Sequence, residues 1–242
     1  MIELVNVFKN FNGHHVLKGL NLKVKRGETL AVIGPSGCGK STVLRLIIGL
    51  FAPTSGRVLV AGRDISELEV EAMNELRQHI GMVFQSSALF DSLTVFENVA
   101  FGLREHSSLG EKEIRSVAAE KLGLVGLKGT ESLMPSELSG GMQKRVSLAR
   151  AIASNPEIIL YDEPTTGLDP ISATAIENLI IDLHKMLSVS AIVVTHMMST
   201  VYHIADRIVM LDKGKIIEAG TPEETKSSSN PAIREFVTGG VK

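Results

Sequence analysis

The stretch Gly34-Pro35-Ser36-Gly37-Cys38-Gly39-Lys40-Ser41 constrains the fold more than any other part of the chain. Glycines at 34, 37 and 39 are poor material for the interior of a helix or strand, where glycine gives up the most backbone freedom. Just before them, Thr29-Leu30-Ala31-Val32-Ile33 is a continuous apolar run of strand length. Residues 41–50 then read as a helix. Strand, glycine loop and helix in that order satisfy G-x-x-x-x-G-K-[ST], and the chemistry explains the pattern. Glycines let backbone N–H groups turn inward and approach phosphate oxygens without a Cβ in the way. The helix that follows adds the positive end of its dipole. Lys40 can reach β- and γ-phosphates, and the Ser41 hydroxyl can ligate Mg²⁺. Gly34, Ser36, Gly37, Cys38, Gly39, Lys40, Ser41 and Thr42 are therefore expected to cradle a nucleotide's phosphates. Cys38 reads as a small filler residue within that loop, not a reactive thiol.

A magnesium nucleotide needs a carboxylate opposite such a lysine. Ile158-Ile159-Leu160-Tyr161-Asp162-Glu163 supplies it, as a buried-type strand ending in two acids. Asp162 can position the metal through its water shell, and Glu163 can act as the base that polarises an attacking water.

Composition narrows the partners. Lys and Arg number 25 against 27 Asp and Glu, a net charge of −2, so no broad basic field invites nucleic acid. The single cysteine excludes an internal disulfide and suits a reducing compartment. The N-terminal residues lack a signal pattern. Residues 43–52, the most apolar window, are interrupted by Arg45 and far shorter than the ~20 residues a membrane span requires. The expectation is a soluble chain that serves any membrane process peripherally, from the cytoplasmic side.

Residues 2–7 and 19–24 alternate apolar with polar as half-buried strands do, and 57–60 resembles another strand. The middle third is helical in pattern at 67–77, 94–105, 111–124 and 139–153. From 157 onward strand and helix alternate, at 158–162, 171–187, 191–195, 197–205 and 208–211, which implies a parallel sheet flanked by helices. The natural division is an α/β core, residues 1–85 and 155–242, interrupted by a helical insert at 86–154. A polar spacer at 226–229 precedes a last helix, placed at 230–238, that opens on Asn230-Pro231, with Gly239-Gly240 beyond it.

Leu138-Ser139-Gly140-Gly141-Met142 resembles the signature motif of the ABC ATPases. A serine and two glycines at a helix start are again anion-binding chemistry. The resemblance covers essentially the whole chain. It implies a single ABC ATPase domain: a P-loop NTPase (RecA-like) core with an antiparallel β subdomain and an inserted α-helical subdomain. It also implies a homodimer in which two copies pair head to tail, with Ser139, Gly140 and Gly141 of one capping the γ-phosphate of ATP held by the other. Gln85 matches the Q-loop glutamine, a ligand and sensor of Mg²⁺. Asp169 in Gly167-Leu168-Asp169 matches the D-loop, and His196 matches the switch histidine that contacts the γ-phosphate. Lys40, Gln85, Glu163 and His196 are thus the expected catalytic set, with Ser41, Gln85 and Asp162 around the metal. Phe11 aligns with the aromatic that stacks on adenine, with a core role for this ring as the alternative and Phe8 close by. Met142 departs from the commoner glutamine, although Gln143 follows.

Residues 84–99, 133–138, 162–171 and 230–239 further resemble ATPases of Mla/Mce-type phospholipid transporters. In 84–99, Leu89, Phe90, Leu93 and Val95 could line a groove for a membrane subunit's coupling helix or pack between lobes. That resemblance implies integral-membrane permease subunits, with MCE-domain and STAS-like accessory proteins as further partners. Amino-acid and methionine importers share much of the pattern. A soluble ABC ATPase of DNA repair or translation would instead bring two fused cassettes, a coiled-coil or zinc insertion, or a basic face, and none is visible.

Overall fold

The computed structural model describes residues 1–239; Gly240, and with it the end of the expected glycine pair, lies outside the described residues. Along the chain come β1 (Ile2–Phe11), β2 (His14–Val24), β3 (Thr29–Ile33), α1 (Lys40–Ile47), β4 (Ser55–Val60), β5 (Arg63–Asp64) and α2 (Val70–Gln78). Next are β6 (Ile80–Val83), α3 (Val95–His106), α4 (Glu111–Leu124), α5 (Gly140–Ala151), β7 (Ile158–Asp162) and α6 (Pro170–Leu187). The last stretch holds β8 (Ser190–Val194), α7 (Met198–Ile204), β9 (Arg207–Asp212), β10 (Lys215–Gly220), α8 (Pro222–Lys226) and α9 (Pro231–Val237). Two compact units result, one of residues 1–75 with 190 onward, the other of residues 76–189.

The first unit contains two strand assemblies. One is antiparallel, in the order β2-β1-β4-β5. The other sets β3 between β8 and β9 in parallel, with β10 antiparallel on β9. Every residue of β3 and of β8 is buried, as strands covered on both faces must be. Three hairpins in this unit turn through two residues ending in glycine, Asn12-Gly13, Ala61-Gly62 and Lys213-Gly214, with φ positive at both positions. That is the turn whose twist matches the flanking strands. The first hairpin runs longer than the alternation at 2–7 and 19–24 suggests. Register shifts interrupt β1 between Leu4 and Val7, Val7 and Phe8, and Lys9 and Asn10, so the apolar phase is lost before the turn. One core cluster of this unit gathers Ala31, Ile33, Val201, Ile208, Met210 and Ala219, and α9 seats Ile233 in it. Asn230 caps α9 as its sequence suggests, accepting from the Ala232 amide at 3.0 Å.

The second unit pairs β6 with β7 in parallel, Ile80 with Ile158 through Val83 with Tyr161. Helices α3, α4 and α5 accompany them. A capping box starts α3: the Glu97 amide donates to the Thr94 hydroxyl at 3.2 Å and the Thr94 amide to the Glu97 carboxylate at 2.8 Å. Asn98, wholly buried, accepts from the Phe90 amide and donates to the carbonyls of Phe90, Leu93 and Thr94. One amide side chain thereby shapes the whole loop ahead of the helix. Among the described residues no helix is long and apolar enough to cross a membrane.

Candidate functional site

In the first unit the glycine loop leaves the buried β3 and enters α1. Gly34 has φ +147°, and a Cβ there would lie 2.3 Å from the carbonyl oxygen of Leu211 on β9. A Cβ on Gly39, at φ +110°, would meet Val16 at 2.7 Å. Close approach of the Leu211 backbone forces glycine at 34, while at 39 the positive φ and the Val16 side chain disfavour a Cβ. The Lys40 side chain curls back over the loop, its Nζ donating to the carbonyls of Gly34 at 2.7 Å and Pro35 at 3.0 Å, and the residue is 8% exposed. Gly39 is the N-cap of α1 and offers no side chain to the first-turn amides, so the anion-binding end of the helix is not self-capped. Ser36 and Gly37 are exposed, and Ser41 and Thr42 half-buried. Burial pushes the Cys38 thiol up despite the nearby Lys40 ammonium, which fits the filler role. His196 is exposed directly beyond the buried Thr195 at the end of β8. Phe11 sits at the hairpin tip with its ring 5.2 Å from Phe51 in an edge-on pair, and the Lys9 ammonium 4.7 Å from its centroid. Phe8 instead lies against Gly19 on the neighbouring strand.

In the second unit the parallel pairing of Val83 with Tyr161 brings Gln85 and Glu163 out of β6 and β7 at the same level. Asp162 and Glu163 are 6% and 8% exposed. Glu163 takes φ +50°, a left-handed conformation costly for a residue with a Cβ, and its carboxylate accepts from the Thr166 hydroxyl at 3.0 Å. Such strain collects at functional positions. Asp169 is the exposed N-cap of α6; its carboxylate accepts from the amides of Ile171 and Ser172, and bonding to Ser172 holds it below the usual carboxylate range. Ser139 caps α5, accepting from the Met142 amide at 3.3 Å, while Gln143 donates to the Pro135 carbonyl at 3.0 Å.

Gly140 and Gly141 behave unlike Gly34. Neither has a positive φ, and a Cβ would come no closer than 3.7 Å to Leu168 at the first or 3.9 Å to Ser172 at the second. Among the described residues, no neighbour requires glycine at either place.

The family model for ABC transporters matches residues 17–166. The chain belongs to that family. It is an ATP-binding cassette with the P-loop NTPase fold, an ATPase by family. This cassette is 44% identical over 239 residues to the intermembrane phospholipid transport system ATP-binding protein MlaF of Haemophilus influenzae, covering 99% of this chain and 90% of that one. It is also 44% identical over 261 residues to the chloroplastic protein TRIGALACTOSYLDIACYLGLYCEROL 3 of Arabidopsis thaliana, covering 100% of this chain and 74% of that one. Among solved structures, an ATP-binding cassette dimer in a post-hydrolysis state bound to ADP and Pi superposes with a TM-score of 0.84 at 35% identity, over 92% of this cassette and 99% of that chain.

Two basic residues of α5 escape motif reading. Lys144 donates to the Gln85 carbonyl at 2.5 Å, and Arg150 donates to the Ser87 carbonyl at 2.8 Å and the Ala88 carbonyl at 2.6 Å. The signal that could have found Lys144 is its phase. It shares the buried face of α5 with Ser147, Leu148 and Ala151, where a charged residue is out of place unless partnered.

Proposed function

We propose that this cassette binds and hydrolyses ATP as one half of a head-to-tail homodimer, coupled to separate membrane permease subunits in phospholipid trafficking. The observation that carries the dimer is the spare room at Gly140 and Gly141. Two glycines that packing among the described residues does not need, at the start of α5, fit a surface reserved for close approach by a second molecule. The anion-binding character of a helix N-terminus makes a partner's nucleotide the apt occupant. The dimeric solved relative and the phospholipid-transport name of MlaF support the rest.

In this reading the loop amides and Lys40 hold the β- and γ-phosphates, and Phe11 offers its ring to adenine. Among the described residues no group of three or more His, Cys, Asp or Glu converges as a metal cage. Mg²⁺ fits that arrangement, because it takes one or two protein oxygens and completes its shell with phosphate and water. Ser41, Asp162 and Gln85 are the hard oxygen donors that would hold it, and when bound it neutralises charge on the phosphates. Glu163 orients a water toward the γ-phosphorus and accepts its proton as the bond to ADP breaks. His196 contacts the γ-phosphate, and Ser139, Gly140, Gly141 and Asp169 serve the partner's nucleotide. The cassette acts peripherally at the cytoplasmic face of a membrane, with MCE-domain and STAS-like accessory proteins as further partners.

The test is Glu163→Gln. With MgATP it should run as a dimer in size-exclusion chromatography with light scattering, and turnover should fall by about 10²-fold or more. A variant that still turns over normally, or stays monomeric while binding ATP, sinks the mechanism. Co-purification from detergent-solubilised membranes decides the cargo class. Recovery with a permease and an MCE-domain protein supports lipid, and recovery with an amino-acid permease overturns it.

A further inference from the structure

Lys144 lies five residues beyond Ser139, on the buried face of α5, and is only 4% exposed. A cation taken that far out of water needs compensation. Part of it is the 2.5 Å hydrogen bond to the Gln85 carbonyl. The rest comes from charge: burial pushes the Lys144 ammonium down, and the carboxylates of Asp162 and Glu163 push it back up, so both acids lie within its electrostatic reach. The β6–β7 register explains the convergence, since it delivers Gln85 beside the two acids at the ends of adjacent strands. Six residues further along α5, Arg150 grips the next carbonyls of the same loop, at Ser87 and Ala88, both of which have positive φ. A loop held through three carbonyls by one helix cannot shift independently of it.

We propose that Lys144 is a positioning residue for hydrolysis, tying the helix that begins at Ser139 to the Gln85 backbone where β6 and β7 end. The proposal rests on the reading of Gln85, Asp162 and Glu163 as the hydrolytic group. Displacement of α5 by whatever meets Ser139 would then be felt at Gln85 through the ammonium. Lys144 is not among the residues assigned to hold the phosphates or adenine, so its loss should cost turnover more than affinity.

The experiment compares Lys144→Met, Lys144→Arg and Glu163→Gln in the full chain, measuring steady-state ATPase, fluorescent ATP-analogue binding and thermal melting. Lys144→Met should lower kcat by about tenfold or more while KM changes less than about threefold, and Lys144→Arg should recover turnover to within about threefold of the unsubstituted protein. Unchanged kcat in Lys144→Met overturns the proposal, as does a rise in KM that matches the fall in kcat. Turnover lost alike in both variants also overturns it, whether melting falls with it, which marks a purely structural anchor, or not. Normal turnover in Glu163→Gln would instead strike at the underlying assignment of the hydrolytic group, whatever Lys144 does.

Discussion

Gly34 sits so close to Leu211 that a single added carbon would stand 2.3 Å from the Leu211 carbonyl oxygen. Both the steric clash and the φ of +147° act against any side chain there. Gly34→Ala should therefore destabilise the protein by roughly 2–4 kcal/mol, lowering the melting temperature by about 5–15 °C. Gly37 is the comparison, with φ +77° but nothing within 4 Å of the place a Cβ would take. Gly37→Ala should cost only about 1–2 kcal/mol. Calorimetry on the two variants separates clash from backbone strain.

Alanine at Gly140 or Gly141 should do the opposite to stability. Both stand in the first turn of a helix with room for a methyl, so stability should hold or rise slightly, by up to about 1 kcal/mol. The ATP-dependent dimer of a Glu163→Gln background should weaken sharply in the same variants. Light scattering against a melting curve reads both effects from one preparation.

Asn98→Ala removes a wholly buried amide and orphans four backbone bonds to Phe90, Leu93 and Thr94. A loss of about 3 kcal/mol is expected, with early amide exchange in residues 90–94. Exchange measured by mass spectrometry should show the loop opening first.

The Glu28–Arg207 pair gives a pH dependence. The guanidinium meets the carboxylate at 2.7 Å, and the Lys25 amide donates to it as well. Burial pushes the Glu28 carboxyl up, but these bonds outweigh it and leave the group below its ordinary 4.5. A depressed folded pKa means the unfolded chain takes up the proton first on acidification. The pair's contribution is therefore complete above about pH 4.5 and fades as pH falls through the folded value. Glu28→Gln should cost about 1–3 kcal/mol at neutral pH, and its difference from the unsubstituted protein should shrink toward pH 3 in urea titrations.

Much of the fold is legible because burial is uniform where it matters. β3 and β7 are read at their observed bounds, since strands buried on both faces become unbroken apolar runs bounded by polar residues. The α4 bounds lie close to glycines at either end, Gly110 before Glu111 and Gly126, with φ +72°, two residues after Leu124. β10 and α8 have no counterpart in the sequence reading. β10 is an edge strand with only Ala219 buried, so its pattern carries little contrast, and α8 is a single capped turn of five residues. The site divides in the same way. Lys40, Asp162 and His196 sit at strand ends and loop turns whose residue types follow from phosphate chemistry. Lys144 carries no motif of its own, and only its place on an apolar helix face betrays it.

Glu163 holds a left-handed backbone that glycine or asparagine would adopt more cheaply, while the chemistry proposed for it needs a carboxylate on two methylenes. Folding and turnover thus pull this codon in different directions. A laboratory lineage selected for heat resistance alone should drift at 163 toward Gly or Asn, and would lose its motor by becoming the better-folded protein.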